Sequence, residues 1–193
     1  SKERRKDGFS SQIWNGQISE FSSDKKRKVT KGFNDTVIDR MLKTFRDRFQ
    51  LNAEQGDVES QRNYAHMCYG GSGGNQNLAE ARDYYRRAAN QGCAESQHYY
   101  ALMCDNGIGG PRSYSRAKAY YKLAADQGCK ASQYSYAQIC FEGMESDKNL
   151  IEARKYFKLA ADQGCVESQS SYAQMCYEGV GGDKDFVEAR KIF

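Results

Sequence analysis

The sequence predicts an all-α protein: a right-handed α/α solenoid of 36-residue helix-turn-helix units, preceded by a basic and largely irregular arm. Three observations support this prediction: a repeat that keeps one register, a helical spacing of apolar residues inside each repeat, and an uneven distribution of charge. The length of 193 residues suits one domain with a tail. No stretch approaches the roughly 18 consecutive apolar residues of a membrane-spanning helix, so we expect no membrane span.

The N-terminal arm, residues 1–33, is strongly basic and is expected to be flexible. It holds nine Lys and Arg residues against four Asp and Glu residues, whereas the remaining 160 residues carry a net charge of −1. One block is typical of a nuclear-localisation segment, and equally of a solvated linker: Lys25, Lys26, Arg27 and Lys28. An Asn-Gly pair beside Trp14 favours a short hairpin. The charge of the arm supports only non-specific contact with nucleic acid.

Five sequence markers recur every 36 residues through the rest of the chain. Gln-Gly pairs begin at Gln55, Gln91, Gln127 and Gln163, and Ser-Gln pairs begin at Ser60, Ser96, Ser132 and Ser168. The other three markers are Tyr-Ala pairs from Tyr64, Tyr100, Tyr136 and Tyr172, the series Cys68, Cys104, Cys140 and Cys176, and the series Ala81, Ala117, Ala153 and Ala189. Such self-similarity indicates a repeat architecture. The predicted units are residues 57–92, 93–128, 129–164 and a truncated 165–193.

Each unit is predicted to form two helices. Four residues of the first helix in the first unit share one face: Gln61, Tyr64, Ala65 and Cys68. Gly71 is expected to end this helix, because glycine accepts a left-handed conformation. Asn77 and Glu80 predict a capping box at the start of the second helix. The buried stripe of that helix consists of Ala81, Tyr84, Tyr85, Ala88 and Ala89. Neither stripe can be buried within one unit, so units must stack.

Residues 34–56 are predicted to form a degenerate leading half-repeat with one helix. Phe49 and Ala53 stand 36 residues before Tyr85 and Ala89, which are predicted core positions of a second helix. The chain is therefore expected to begin its solenoid with half a unit.

The combined pattern resembles the Sel1-like repeat family, which is related to the tetratricopeptide repeats. The residues that carry the resemblance are A-x-Q-G, S-Q-x-x-Y-A-x-M-C and E-A-R-x-Y-Y-x-x-A-A, which cover residues 57–193 well and 35–56 loosely. The resemblance implies a scaffold that assembles protein complexes without catalysis. It also implies that the first helices line the concave groove of the solenoid.

Three positions of the first helix differ between units, and they fall on one face at i, i+4 and i+7. This variable stripe consists of Arg62, His66, Tyr69, His98, Leu102, Asp105, Tyr134, Gln138, Phe141, Ser170, Gln174 and Tyr177. Aromatic residues among adaptable polar ones suit the binding of a peptide or helix in a groove. The alternative is a solvated face on which residues vary without a ligand.

The seven cysteines form two series with the repeat period. One series lies on the predicted buried stripe, and the other begins first helices at Cys93, Cys129 and Cys165. Neighbours in one series stand about 8–10 Å apart, the spacing of packed helices, which is too far to share a zinc ion. We therefore expect structural thiols and no metal site, with a reactive thiol at a helix N-terminus as the alternative.

These observations together predict a non-catalytic scaffold or adaptor with a protein or peptide partner, no cofactor and no small-molecule substrate. No set of nucleophile, base and acid recurs in the units, so no active site is predicted. Two alternatives stay open: a structural subunit of a large assembly that uses its outer faces and open ends, and the regulatory repeat region of a larger enzyme such as a kinase. The odd number of cysteines favours a reducing compartment, either cytoplasmic or, if the basic block is a signal, nuclear.

Overall fold

The computed structural model describes residues 35–143 and 148–192, and the regular structure of this part of the chain is entirely α-helical. Its helices are α1 Asp35–Glu54, α2 Val58–Gly70, α3 Leu78–Asn90, α4 Ala94–Asn106, α5 Tyr114–Asp126, α6 Lys130–Glu142, α7 Leu150–Asp162, α8 Val166–Glu178 and α9 Phe186–Ile192. Each helix packs mainly against the helices that precede and follow it in the chain. Nearest-neighbour packing is the arrangement of a solenoid, so the predicted fold class is confirmed.

The first helices of the four units are α2, α4, α6 and α8, and each ends at a glycine as predicted. The glycine after α2, Gly71, has φ +71°, a value that residues with a Cβ adopt only at a cost. At the other end of α2, the Asp57 carboxylate accepts a hydrogen bond from the Ser60 N–H at 2.8 Å. Cysteines take this N-cap position in α4, α6 and α8, and their side chains make no capping hydrogen bond.

The second helices, α3, α5, α7 and α9, begin after polar caps, but the predicted capping box is wrong in one detail. The Asn77 Oδ1 accepts from the Glu80 N–H at 3.2 Å. The Glu80 carboxylate does not reach back to the Asn77 N–H, because that group already donates to the Cys68 carbonyl at 2.9 Å. Glu80 accepts instead from the Asn77 side-chain amide at 3.1 Å and from the Tyr64 hydroxyl at 2.9 Å. The carboxylate thereby ties the two helices of one unit together.

The core is a continuous strip of alanine, tyrosine and cysteine between first and second helices. The residues predicted for this strip are buried, with Ala65 and Cys68 at zero exposure. Pairs of tyrosine rings meet edge to face at centroid distances of 4.7–4.8 Å in three units: Tyr64 with Tyr84, Tyr100 with Tyr120, and Tyr136 with Tyr156. Small alanines let the helices approach, and the rings fill the remaining space.

A buried glutamine and an exposed glutamine in each complete repeat join neighbouring helices, which explains why Gln recurs twice per repeat. The Gln97 Nε2 donates to the Ala89 carbonyl at 3.2 Å, across the turn between α3 and α4. The Gln127 Nε2 in turn donates to the Gln97 Oε1 at 2.8 Å. The same two bonds recur in the other units with Gln61 and Gln91, and with Gln133 and Gln163. A buried amide whose oxygen and nitrogen are both satisfied in this way holds the register of the stack.

An arginine on the second helix also clamps one unit onto the loop of the next. Arg82 donates to the Cys104 Sγ at 3.3 Å and to the Pro111 carbonyl at 2.8 Å. Arg46 and Arg154 make equivalent contacts from α1 and α7. Helix α1 therefore contacts the first unit as a second helix contacts the unit that follows it.

Two loop glycines make room for this arginine clamp. A Cβ on Gly109 would overlap a backbone carbonyl of α3, and a Cβ on Gly110 would lie 2.8 Å from the Arg82 Nη1. At the junction of the second and third units the sequence has Lys118 of α5 in place of the arginine, and residues 145–146, outside the described ranges, are Glu-Ser in place of Gly-Gly. Arginine and glycines are replaced together, which indicates that the clamp and the close approach of the loop to the second helix belong to one arrangement.

Several predictions fall on residues that the structure does not describe. These are the basic block Lys25–Lys28, the hairpin beside Trp14 and the flexibility of residues 1–33, and all of them stay predictions. In the described ranges, no helix has the length and apolar character needed to cross a bilayer.

Candidate functional site

The variable stripe divides into two parts with different surroundings. The closed half, on α2 and α4, consists of Arg62, His66, Tyr69, His98, Leu102 and Asp105, which are all partly buried. The open half, on α6 and α8, consists of Tyr134, Gln138, Phe141, Ser170, Gln174 and Tyr177, of which the last four are exposed. None of the six positions is exposed in the closed half, whereas in the open half Phe141 of α6 and the three positions on α8, the last first helix of the sequence, are exposed.

His66 is the centre of the closed half. Its Nε2 lies 3.0 Å from the Glu95 Oε1, and its Nδ1 lies 2.6 Å from the Tyr85 hydroxyl. The imidazole also meets the ring of Tyr99 edge to face at 4.8 Å, and Tyr99 stacks on Tyr85 at 5.2 Å. Arg62 pairs with Glu95 at 3.3 Å. The polar groups of this part of the stripe are thus satisfied by neighbours in the same chain.

His98 makes a second tie between units. Its Nδ1 lies 2.8 Å from the Ser132 Oγ, and its ring lies 5.7 Å from that of Tyr121. Burial lowers the pKa of His98, although the Glu95 carboxylate acts in the opposite direction. The hydrogen bond with His66 lowers the pKa of Glu95 despite its burial. A neutral His98 and an ionised Glu95 are the forms that this arrangement favours at neutral pH.

The open half contains a pocket of about 220 Å³ between α6, α7 and α8. Its lining residues are Phe141, Phe157, Ser171, Gln174, Met175 and Glu178. Phe157 and Met175 form a buried apolar floor, each only 3% exposed. Phe141, at 40% exposure, stands beside it, and Tyr177 on α8 is 60% exposed. An apolar floor with a polar rim is the composition of a binding pocket for an apolar side chain.

The pocket exists because one large side chain of the closed half has a small counterpart in the open half. Ser171 stands at the repeat position of Tyr99, and Phe157 stands at that of Tyr85. Tyr99 covers Tyr85 by stacking, whereas the serine leaves the face of Phe157 open. The Phe141 ring approaches Phe157 from the side, with centroids 6.4 Å apart.

Tyr134 is less accessible than a solvent-facing stripe predicts. Its ring lies 6.0 Å from that of Phe157, and its hydroxyl accepts a hydrogen bond from the Gln138 Nε2 at 2.9 Å. Burial raises the pKa of Tyr134. Tyr134 and Gln138 are therefore half-buried beside Phe157 and do not line the pocket, while Phe141, Gln174 and Tyr177 face the solvent.

Sequence reasoning missed the residues outside the stripe that decide whether it is open. Glu95 and Tyr99 close the first part, and Phe157 and Ser171 form the pocket in the second. The repeat position of Tyr99 varies between units, with asparagine in the first and serine in the third and fourth. This variation was visible in the sequence, but the position lies outside the variable stripe, which was defined by positions i, i+4 and i+7 of the first helix.

The cysteines near the ends of first helices are placed as structural groups, whereas Cys93, Cys129 and Cys165 at the starts are only half-buried. Cys68 and Cys140, at first-helix ends, are fully buried, and burial raises the pKa of both thiols. A thiol that is harder to ionise is a poor nucleophile and a poor metal ligand. Among the described residues, no cluster of three His, Cys, Asp or Glu side chains is placed to hold a metal ion.

Comparison with known proteins agrees with this geometry. The chain matches the Sel1 repeat family over residues 58–93, 94–129, 130–165 and 166–193. A comparison with curated proteins found no match.

Two solved structures are similar in fold. A protective antigen present in uropathogenic Escherichia coli strains, which displays an SLR fold, has a TM-score of 0.70 and 31% identity, over 76% of this chain and 32% of that chain. A Sel1 repeat protein from Oxalobacter formigenes has a TM-score of 0.67 and 26% identity, over 76% of this chain and 59% of that chain. The matched part is thus about a third of the first protein and three-fifths of the second. The repeat matches extend over most of the sequence, and the chain belongs to the Sel1 repeat family.

Proposed function

We propose that the protein is a non-catalytic scaffold that binds an extended or helical segment of a partner protein along the variable stripe. The observation that carries this proposal is the pocket over Phe157. The exposed aromatic residues Phe141 and Tyr177 lie on the same face. Sel1 repeat proteins are generally protein-interaction scaffolds and are typically non-catalytic. That property of the family supports the binding of a protein.

The open half is the proposed anchor site. A pocket of about 220 Å³ over Phe157 and Met175 has room for one large apolar side chain of a ligand. Gln174 and Glu178 lie at its edge and offer hydrogen-bonding groups to the backbone or polar side chains around that anchor. Central apolar contacts surrounded by polar ones are the usual source of affinity in such interfaces.

The closed half is proposed to guide the ligand without anchoring it. Arg62, His66 and Glu95 already satisfy one another, so a ligand that displaced these bonds would gain little net free energy. These residues present a preorganised polar surface on the first helices of the two preceding units, and they contribute to selectivity through their charge.

Peptide selection followed by affinity measurement tests this proposal. Peptides would be selected from a random display library on the full chain, and their Kd values would be measured for variants by isothermal calorimetry. The double variant Phe141→Ala and Tyr177→Ala should weaken binding at least about tenfold, because it removes two aromatic anchors. A matched control, Leu123→Ala and Leu159→Ala, removes two apolar side chains that are 49% and 38% exposed on second helices. It should change the Kd less than about twofold.

The same control addresses a second candidate function, assembly through the outer faces. Leu123, Leu159 and Ile151 expose apolar surface on the second helices, with Ile151 at 74%. Exposed apolar side chains of this kind favour a contact with another surface. Loss of binding in the leucine variant, with normal binding in the aromatic variant, would contradict the groove and support assembly through these faces.

A further inference from the structure

One position of the repeat reverses its charge in the second unit. The third residue of the second helix is glutamate in the other units, at Glu80, Glu152 and Glu188, but it is Arg116 in α5. The glutamates have two kinds of partner. Glu80 accepts from the Tyr64 hydroxyl at 2.9 Å, and Glu152 pairs with Lys122 of the preceding unit at 3.6 Å.

Around Arg116 both kinds of partner are present, but the carboxylate is missing. Tyr100 stands at the repeat position of Tyr64, and Arg86 stands at that of Lys122. Arg86 and Arg116 line one pocket together with Tyr100. Arg116 takes part in none of the ion pairs found among the described residues. Two arginines and a tyrosine hydroxyl are therefore arranged around the place where the other units hold an acid.

The pocket has a volume of about 220 Å³ and a positive lining. Its charged residues are Arg82, Asp83, Arg86 and Arg116, a net charge of +2. Asp83 accepts from Arg86 at 2.7 Å and from Arg87 at 2.8 Å, so its charge is already shared by two cations. Arg82 is 7% exposed and donates to loop carbonyls, which leaves its charge uncompensated by a carboxylate.

We propose that this pocket binds an oxyanion on a side chain of a protein partner, a phosphoryl or carboxylate group that occupies the place of the missing glutamate. Arg116 would pair with the anion, Arg86 would supply the second cation, and the Tyr100 hydroxyl would donate a hydrogen bond. A guanidinium is suited to this role because its donors match the geometry of carboxylate and phosphate oxygens.

The size of the pocket favours a side chain over a nucleic acid. A nucleic acid gains affinity from many phosphates along a track of cations, whereas this pocket has room for one anionic group between two repeats. None of the residues that line this pocket belongs to the variable stripe. The two proposals are therefore independent, and either one can fail while the other holds.

Titration of the isotope-labelled full chain followed by nuclear magnetic resonance tests the site. The probes are an alanine pentapeptide with a central phosphoserine, the same peptide with glutamate, and the same peptide with serine. Both anionic peptides should shift the side-chain Nε–H signals of Arg86 and Arg116 saturably, and the serine peptide should not. A tighter Kd for phosphoserine identifies a phosphorylated partner, and equal Kd values identify an acidic one.

Three variants separate specific binding from general charge attraction. Arg116→Glu introduces the residue of the other units, so it should fold normally and weaken binding at least tenfold. Tyr100→Phe removes only a hydroxyl and should weaken binding by roughly tenfold. Lys130→Glu makes the same charge change at an exposed position of α6, and it should stay within twofold of the wild type.

Two outcomes would overturn the proposal. Equal loss of affinity in Arg116→Glu and Lys130→Glu would show charge screening alone. Tighter binding of a 12-nucleotide oligothymidylate than of either peptide, lost in Arg116→Glu, would assign the pocket to nucleic acid. Thermal melts of all variants verify that any loss of binding occurs in folded protein.

Discussion

The two halves of the variable stripe occupy the same face of equivalent helices, yet one is closed and the other is open. In the closed half, His66 contacts Glu95, Tyr85 and Tyr99 within the chain. In the open half, Phe141 is 40% exposed beside a pocket. Equivalent positions in this chain therefore do not have equivalent surroundings. The side chain that the next unit places over Tyr85 or Phe157, Tyr99 in one case and Ser171 in the other, decides whether the face of the ring is covered or borders a pocket.

The largest expected difference between the halves is in stability. Tyr85→Ala should lower the free energy of unfolding by about 3–5 kcal/mol, because it removes a fully buried ring. Phe141→Ala, in the open half, should cost about 1 kcal/mol or less, since the ring is partly in solvent already. Urea unfolding followed by circular dichroism measures both. Equal losses would show that Phe141 is packed as tightly as the buried ring of Tyr85.

Loss of the arginine clamp should also destabilise the fold more in the first units than in the last ones. Arg82→Ala should destabilise the fold by about 2–3 kcal/mol, because it leaves two loop carbonyls without their donor at a buried site. Arg154→Ala should cost about 1–2 kcal/mol, since Arg154 is less buried and donates to one loop carbonyl, that of Asp183. Midpoints of thermal unfolding compare the two variants. A greater loss for Arg154→Ala would contradict the tighter junction in the first units.

A smaller loss of stability is expected from removing the hydrogen bond between the Tyr85 hydroxyl and His66. Tyr85→Phe makes the residue that the third unit has naturally at Phe157, and it should cost about 1 kcal/mol through the lost hydroxyl. In a His66→Ala background the same change should cost clearly less. This double-mutant cycle, measured by urea unfolding, gives the coupling between the two side chains. Additive losses would mean that the short contact contributes no stability.

The smallest expected difference is a pH dependence confined to the closed half, which holds both histidines of the chain. Because burial lowers the pKa of His98 in the folded state, folding favours its neutral form. The resulting stability is present above the unfolded pKa of about 6.5 and is lost as the pH falls through the folded value. The wild type should therefore lose more stability between pH 7.5 and 5.5 than His98→Gln does. Parallel losses in urea unfolding would show that His98 is not the group responsible.

Most of the fold was predictable because every unit must bury the same surfaces. Tyr64, Ala65 and Cys68 recur every 36 residues at helical spacing, and they are buried as predicted. The capping box was predicted only in part. The role of Glu80 depends on the Cys68 carbonyl, which the other helix of the unit brings to the Asn77 N–H. Local patterns contain no information about such a competing partner.

The candidate site was predictable as a set of positions but not as a pocket. Variation between units pointed to Phe141, Gln174 and Tyr177, and the structure leaves all three exposed. It did not point to Phe157, which belongs to a buried series on the second helices, or to Ser171, which matters by being small. Whether these residues bind a partner stays a prediction until the variants are measured.

Residue type and period were sufficient for the helices, their order and the buried stripe, because those properties depend on patterns within about 36 residues. Only the tertiary structure showed which part of the stripe is accessible and which side chains surround Arg116, where the other units have a glutamate. Both depend on contacts between units, where a single side chain such as Tyr99 or Ser171 covers or uncovers its neighbour. Such contacts join side chains on different helices, such as Tyr85 with Tyr99 and Lys122 with Glu152, so they follow from the way the helices stack and not from the pattern along each helix.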